Sequence, residues 1–350
     1  MKNRIGNDKF RIQNSEFRRQ ERSIKIVPSL IPKQKIWKKD MKEKLPYTAK
    51  VTRADAVSLK TLICVFLLAT STVYADDKEF DDVEIKTHKI TDSIYMLEGK
   101  GGNIGVCAGE DGVFVIDDEF APLTVKISKA IAKISNGPVR FVINTHYHHD
   151  HTGGNENFGR LGAAIISHDN SRKHIEADQF KIMADQGIEK FPVKSLPIIT
   201  FSDSMTFYYN GDTINVFHVD NAHTDGDIII HFKNADVFHM GDVFVRYGFP
   251  YIDIAHGGNI NGMIHALEQV AVLADDKSVF IPGHGDIASK KDVIDFKNWL
   301  VNLRDAVKKE MDQGKSKEEI IALNPVKQYV DAKANIENII STIFEGISKP

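Results

Sequence analysis

The sequence predicts a mixed α/β domain, and three observations carry that prediction. Short apolar runs bounded by glycines alternate with stretches of helical periodicity from Asp76 onward. At 350 residues, 42% apolar and 27% charged, the chain can bury a sizeable core in one or two domains. Segments rich in histidine and aspartate follow the ends of several apolar runs, where strands hand over to loops.

Residues 1–75 stand apart as an N-terminal extension. They hold 17 Lys+Arg against 6 Asp+Glu, while the remainder holds 28 against 42. The acidic remainder argues against nucleic acid as a partner, because a phosphate backbone needs a basic surface. Leu62–Ala69 is apolar but shorter than the roughly 20 residues that span a bilayer. Lys50, Arg53 and Lys60 precede it and Val73-Tyr74-Ala75 follows it, the layout of an export signal cleaved after about Ala75. A periplasmic or secreted protein is therefore expected, with no stable membrane anchor after cleavage. Met41 offers a start that gives this signal an ordinary basic region; a basic tail is the alternative reading of residues 1–40. Cys64 lies within the apolar run and lacks the small preceding residue of a lipoprotein anchor.

The body, residues 76–289, opens with strands at Ile94–Leu97, Gly105–Ala108 and Val113–Ile116, punctuated by Gly99, Gly101, Gly102, Gly109 and Gly112. A helix is predicted over Ala121–Ile134, with Pro122 near its start and Gly137-Pro138 beyond its end. Val139–Asn144 reads as a buried strand. Further strands are predicted at Met205–Tyr209, Thr213–His218, Asp227–Phe232, Val237–Met240 and Val279–Ile281, with a helix at Ile260–Leu273. Residues 290–350 read as a charged helical extension. Cys64 and Cys107 are the only cysteines, so no disulfide framework is expected and any metal must use histidine and carboxylate. Cys107 reads as a small buried strand residue.

The strand ending at Asn144 runs into Thr145-His146-Tyr147-His148-His149-Asp150-His151-Thr152-Gly153-Gly154. His146 and His148 alternate by two, so an extended segment points them the same way. Asp150 and His151 follow where a turn can aim both inward. Three such imidazoles and a carboxylate make a poor core and a good zinc site, since zinc takes nitrogen and oxygen ligands. His149 alternates away from the cluster. His239 either orients a ligand or is an ordinary histidine. His88, His168, His174, His218, His231, His256 and His265 carry no ligand spacing.

The His-x-His-x-Asp-His run resembles the signature of the metallo-β-lactamase superfamily. That resemblance covers about Ile85 to Ala288 and implies an αββα sandwich whose halves meet at a metal site. It implies further elements in fixed order, each with a counterpart here. Asp117 matches an aspartate that steadies the histidine loop, His223 a third histidine, Asp242 a bridging carboxylate and His284 a last ligand. The resemblance assigns His146, His148 and His223 to a first zinc, and Asp150, His151 and His284 to a second, with Asp242 bridging or leaning to the second. It implies a hydrolase with two zinc ions per chain and a small-molecule substrate, in which a metal-activated hydroxide attacks a carbonyl and Asp150 orients it or shuttles a proton.

Three functional readings follow. The export signal and the short stretches from His223 to Asp242 and His284 favour a β-lactamase-like enzyme acting on a cyclic amide or ester. Asp242 departs from the Cys or Ser of true class B β-lactamases and favours the alternative, a glyoxalase-II-like thioesterase or a lactonase. A non-enzymatic metal-binding protein is the third, and the complete ligand set speaks against it. Arg246 is either a substrate-carboxylate ligand or an exposed loop arginine. Asn259 is either a substrate contact or a cap for the helix at Ile260. Nothing in the sequence specifies an oligomeric state.

Overall fold

The period-two alternation of strands sorts the apolar side chains into two sheets. The structure is a computed structural model and describes residues 78–186 and 192–348. The export-signal segment lies outside the described residues. The first sheet runs in chain order: β1 (Lys86–Lys89), β2 (Ile94–Glu98), β3 (Ile104–Gly109), β4 (Gly112–Ile116), β5 (Val139–Ile143), β6 (Ala164–His168) and β7 (Ile199–Phe201). It is antiparallel from β1 to β4 and parallel from β4 to β7. The second sheet contains β8 (Ser204–Tyr209), β9 (Asp212–His218), β10 (Ile228–Phe232), β11 (Val237–His239), β12 (Val279–Ile281) and β13 (Ala288–Ser289), ordered β13-β12-β11-β10-β9-β8. Only the β11–β12 pair of this sheet is parallel.

Alternation along single strands explains the layers. In β4, Phe114 and Ile116 enter a core between the sheets, where they meet Val216, Ile230 and Phe232 of the second sheet. Val113 and Val115 point to the opposite face and pack on Ile127 and Ile131 of the helix Thr124–Ile134. Ile229 of β10 likewise leaves the central core for an outer one, shared with Leu267, Leu303 and Ile340. The helices in chain order are α1 (Lys78–Asp81), α2 (Thr124–Ile134), α3 (His149–Thr152), α4 (Asn155–Arg160), α5 (Asp169–Gln186), α6 (Ile260–Leu273), α7 (Lys290–Met311), α8 (Lys317–Leu323) and α9 (Ile336–Ser348). The arrangement is the expected αββα sandwich.

Residues 290–348 are not a body apart from the sandwich. Leu300, Leu303 and Val307 of α7, Ile320 of α8 and Ile339, Ile340 and Ile343 of α9 are all buried in the outer core of the second sheet. The helical stretch expected after Ser289 is interrupted where Gly314 (φ +79°) and Asn324 (φ +50°) take left-handed backbone. Pro122 starts the expected helix at Ala121 as a 3₁₀ turn, Ala121–Leu123, before α2 takes over. β1, β6, β7, β13 and α5 are elements the sequence reading did not assign. Among the described residues no helix is long and apolar enough to cross a membrane.

Candidate metal centre

The strand ends deliver the polar residues to one edge of the sandwich. Asp117 follows β4, Thr145–His151 follows β5, Asp242 sits in a 3₁₀ turn after β11, and His284 follows β12. His223 occupies the loop between β9 and β10. Carboxyl ends of strands are where an α/β sheet leaves room for a ligand.

Asp117 anchors the histidine loop. It is fully buried in left-handed backbone (φ +60°). Thr145 donates its N–H to Asp117 Oδ1 and its hydroxyl to Oδ2, each at 2.7 Å, and His151 Nδ1 lies 2.8 Å from Oδ2. Two close approaches require glycine. A Cβ at Gly102 would lie 2.1 Å from the His151 ring, and one at Gly283 would lie 2.0 Å from Asp242 Oδ1. Gly102 and Gly283 thus let the donor side chains in.

Two donor clusters result. His146 Nε2 and His223 Nε2 lie 3.0 and 2.8 Å from His148 Nδ1. In the second, His151 Nε2 is 3.3 Å from His284 Nε2, which is 3.2 Å from Asp150 Oδ2. Asp242 faces both: its Oδ1 is 3.2 Å from His151 Nε2 and 3.5 Å from His284 Nε2, and its Oδ2 is 3.8 Å from His223 Nε2.

The chemistry of these donors fits metal cations. The outer nitrogen of each first-cluster histidine faces an acceptor. His223 Nδ1 donates to the Tyr251 carbonyl (2.7 Å), and His148 Nε2 faces the Asp253 carboxylate (3.1 Å). His146 Nδ1 faces Thr145 Oγ1 (3.0 Å), whose proton is given to Asp117. Rings whose protons sit on these outer nitrogens would turn three bare lone pairs toward one point. Zinc–nitrogen bonds of about 2.0–2.1 Å would set tetrahedral donors roughly 3.3 Å apart, close to the spacing seen. Asp242 Oδ1 is buried without a well-formed hydrogen bond despite its two histidine neighbours. A cation satisfies an oxygen so placed.

Electrostatics divides the clusters. Burial drives His146 well below the usual histidine range and His223 down to about 4, keeping both rings neutral. Burial also opposes charge on His151 and His284. At His151 Asp242 and Asp117 outweigh it and hold the pKa well above its ordinary value; at His284 Asp150 and Asp242 raise it to about 9. The second cluster is thus a place that demands positive charge, from protons or from metal.

The remaining candidates sort by contact. His149 is exposed against Phe120 and joins neither cluster. His239 is buried, donates from Nε2 to the Asn103 carbonyl and accepts the Gly241 N–H, so it supports the Asp242 turn without ligating. The Arg246 guanidinium turns to Asp292 (3.3 Å) at the start of α7. Asn259 caps α6, accepting from Asn261 N–H (2.8 Å) and donating to the Gly346 carbonyl (2.6 Å), so both ends of its amide are engaged in structure. Asp253, Tyr147 and Asp227 are partners the sequence reading missed. Asp227 takes the backbone N–H of His223 (2.6 Å) and Thr224 (2.8 Å) and fixes the His223 turn. Its carboxylate three residues after a turn threonine was the one legible signal.

The model of the metallo-beta-lactamase superfamily matches residues 97–284, which carry every one of these donors. The chain belongs to the metallo-beta-lactamase superfamily. Within it, the chain is similar to a hydroxyacylglutathione hydrolase of Polaromonas sp. (strain JS666), at 29% identity over 47% of this chain and 55% of that protein. It is 25% identical to another hydroxyacylglutathione hydrolase, from Pelagibacter ubique, over 54% of this chain and 65% of that one. Both matches span less than two thirds of the relatives' own length. Among solved structures, a metallo-beta-lactamase from Pontibacter korlensis superposes with TM-score 0.51 at 16% identity, covering 63% of this chain and all of that one. A double mutant of the sec-alkyl sulfatase PisA1 superposes with TM-score 0.60 at 13% identity, over 75% of this chain and 50% of that one. At such identities these two likenesses establish the superfamily fold alone.

Proposed function

We propose that the chain is a zinc-dependent hydrolase of small thioesters and related esters, holding two zinc ions. The observation that carries this reading is Asp242. Its two oxygens face different donor clusters, and its negative charge lies where a class B β-lactamase has a cysteine or serine. His146, His148 and His223 would hold one ion, and Asp150, His151 and His284 the other, with Asp242 between them. Bound there, zinc supplies Lewis acidity toward a carbonyl and acidifies water to a pKa of about 7.

The chain's own residues do the rest. Asp150 is partly exposed beside His284, and although burial opposes its charge, His284 and His151 lower its pKa. An ionised carboxylate there accepts a proton from attacking water and returns it to the leaving group. With metal bound on both sides, the Asp242 carboxylate would reduce the pull on a carbonyl. That handicap matters least for a leaving group that departs as an anion near neutral pH, as a thiol of pKa about 8.5 does, and most for an amide nitrogen. The similarity to two hydroxyacylglutathione hydrolases supports the same preference.

The test is kcat/KM of the zinc-loaded protein for a thioester, a lactone and a chromogenic cephalosporin. The thioester is expected to exceed the cephalosporin by at least about tenfold, the size of a single 1.4 kcal/mol difference in barrier. A cephalosporin turned over faster than both esters would overturn the substrate assignment and restore the β-lactamase reading.

A further inference from the structure

We propose that Asp253 is the positioning residue of the first donor cluster, and that helix α9 braces the turn that presents it. The inference rests on the metal reading of His146, His148 and His223.

His148 differs from its two companions in the atom it offers. His146 and His223 turn Nε2 inward, whereas His148 turns Nδ1. An imidazole presented through Nδ1 carries its other nitrogen at the far tip of the ring, beyond reach of its own backbone. Something distant must hold that tip, and Asp253 does, from 105 positions along the chain. Asp253 is 3% exposed, and its Oδ2 also accepts from Tyr147 Oη (2.5 Å) and His256 Nδ1 (2.8 Å). A carboxylate facing Nε2 keeps the proton on Nε2 and leaves the Nδ1 lone pair free for a metal.

The Asp253 turn is tied down on both sides. Asp253 N–H donates to the His223 carbonyl (2.9 Å), and Asn259 N–H to the Ala222 carbonyl (2.8 Å). A Cβ at Gly258 would lie 2.3 Å from the His223 carbonyl oxygen, so the two turns touch. On the other side, Asn259 Nδ2 donates to Gly346 of α9. One short segment therefore orients His148 through a side chain, supports His223 through its backbone and rests on the C-terminal helix. The second cluster does not share this support, because His151 has Asp117 as its own anchor.

The test compares the full-length wild type with Asp253→Asn and Tyr147→Phe. Zinc is titrated in competition with a chromogenic chelator, and cobalt-loaded protein is followed by its visible spectrum. Asp253→Asn is expected to weaken one of two metal equivalents by about 10–100-fold, the usual effect of losing such a partner, and to alter the cobalt spectrum. Tyr147→Phe, which leaves the Asp253–His148 contact in place, should keep both equivalents. Two wild-type affinities and an unchanged spectrum in Asp253→Asn would overturn the proposal. A wild type that binds no zinc would instead overturn the metal reading beneath it. If Asp253→Asn does not fold, ¹⁵N NMR of histidines in zinc-loaded wild type decides: a proton on His148 Nε2 supports the proposal, and one on Nδ1 contradicts it.

Discussion

The clustered histidines differ in what their surroundings do to a proton, and the difference gives the metal-free protein a distinctive pH response. His284 has a folded pKa of about 9 against an ordinary 6.5, so its raised pKa contributes stability that is fully present below about 6.5. That contribution fades as pH rises through about 9; His151, shifted the same way, adds to it. The melting temperature of chelator-treated protein should therefore fall between about pH 6.5 and 9, and zinc should remove most of the fall by replacing the protons. A pH-independent melting temperature across that range would contradict the electrostatics assigned to the second cluster. At this scale the sequence showed residues whose partners are near in the chain or at strand ends. His146, His148, Asp150 and His151 sit within six positions, and Asp117 ends a strand. Asp253 was hidden because its contact with His148 spans more than a hundred positions, and its own surroundings, Tyr251-Ile252-Asp253, look like any loop.

Among the elements, legibility followed periodicity and capping. Helix α6 starts and stops at the residues the sequence predicts, because Asn259 caps it and its apolar positions recur with helical spacing. Helix α5 lacks that spacing: Ile175 is its buried apolar anchor, against Tyr147 and Leu196, and much of the rest is polar. Strands β6 and β7 are short and acquire their identity from parallel pairing with distant partners, which no local pattern encodes. The C-terminal helices are tied into the second sheet by side chains such as Leu303, fully buried beside the sheet's outer core. Leu303→Ala is expected to cost about 2–5 kcal/mol of stability, read from the shift in urea midpoint at constant slope. A loss below about 0.5 kcal/mol would mean that α7 contributes little to the core it borders.

For the molecule as a whole, the two sheets bring five separate chain segments to one edge, and that convergence is what the site depends on. The order of the motifs along the chain made the αββα sandwich readable by resemblance. The joining of residues 290–348 to the second sheet depends on side-chain packing that only the folded structure displays. The proposed hydrolysis requires metal where the donors meet. The direct measurement is zinc content of the purified full-length protein by elemental analysis, alongside thioester hydrolysis, through chelation and re-addition of zinc. About two equivalents per chain are expected, with hydrolysis lost with the metal by at least about a hundredfold and recovered when zinc returns. Undiminished hydrolysis by protein that carries no metal would contradict a metal-dependent reaction at this site.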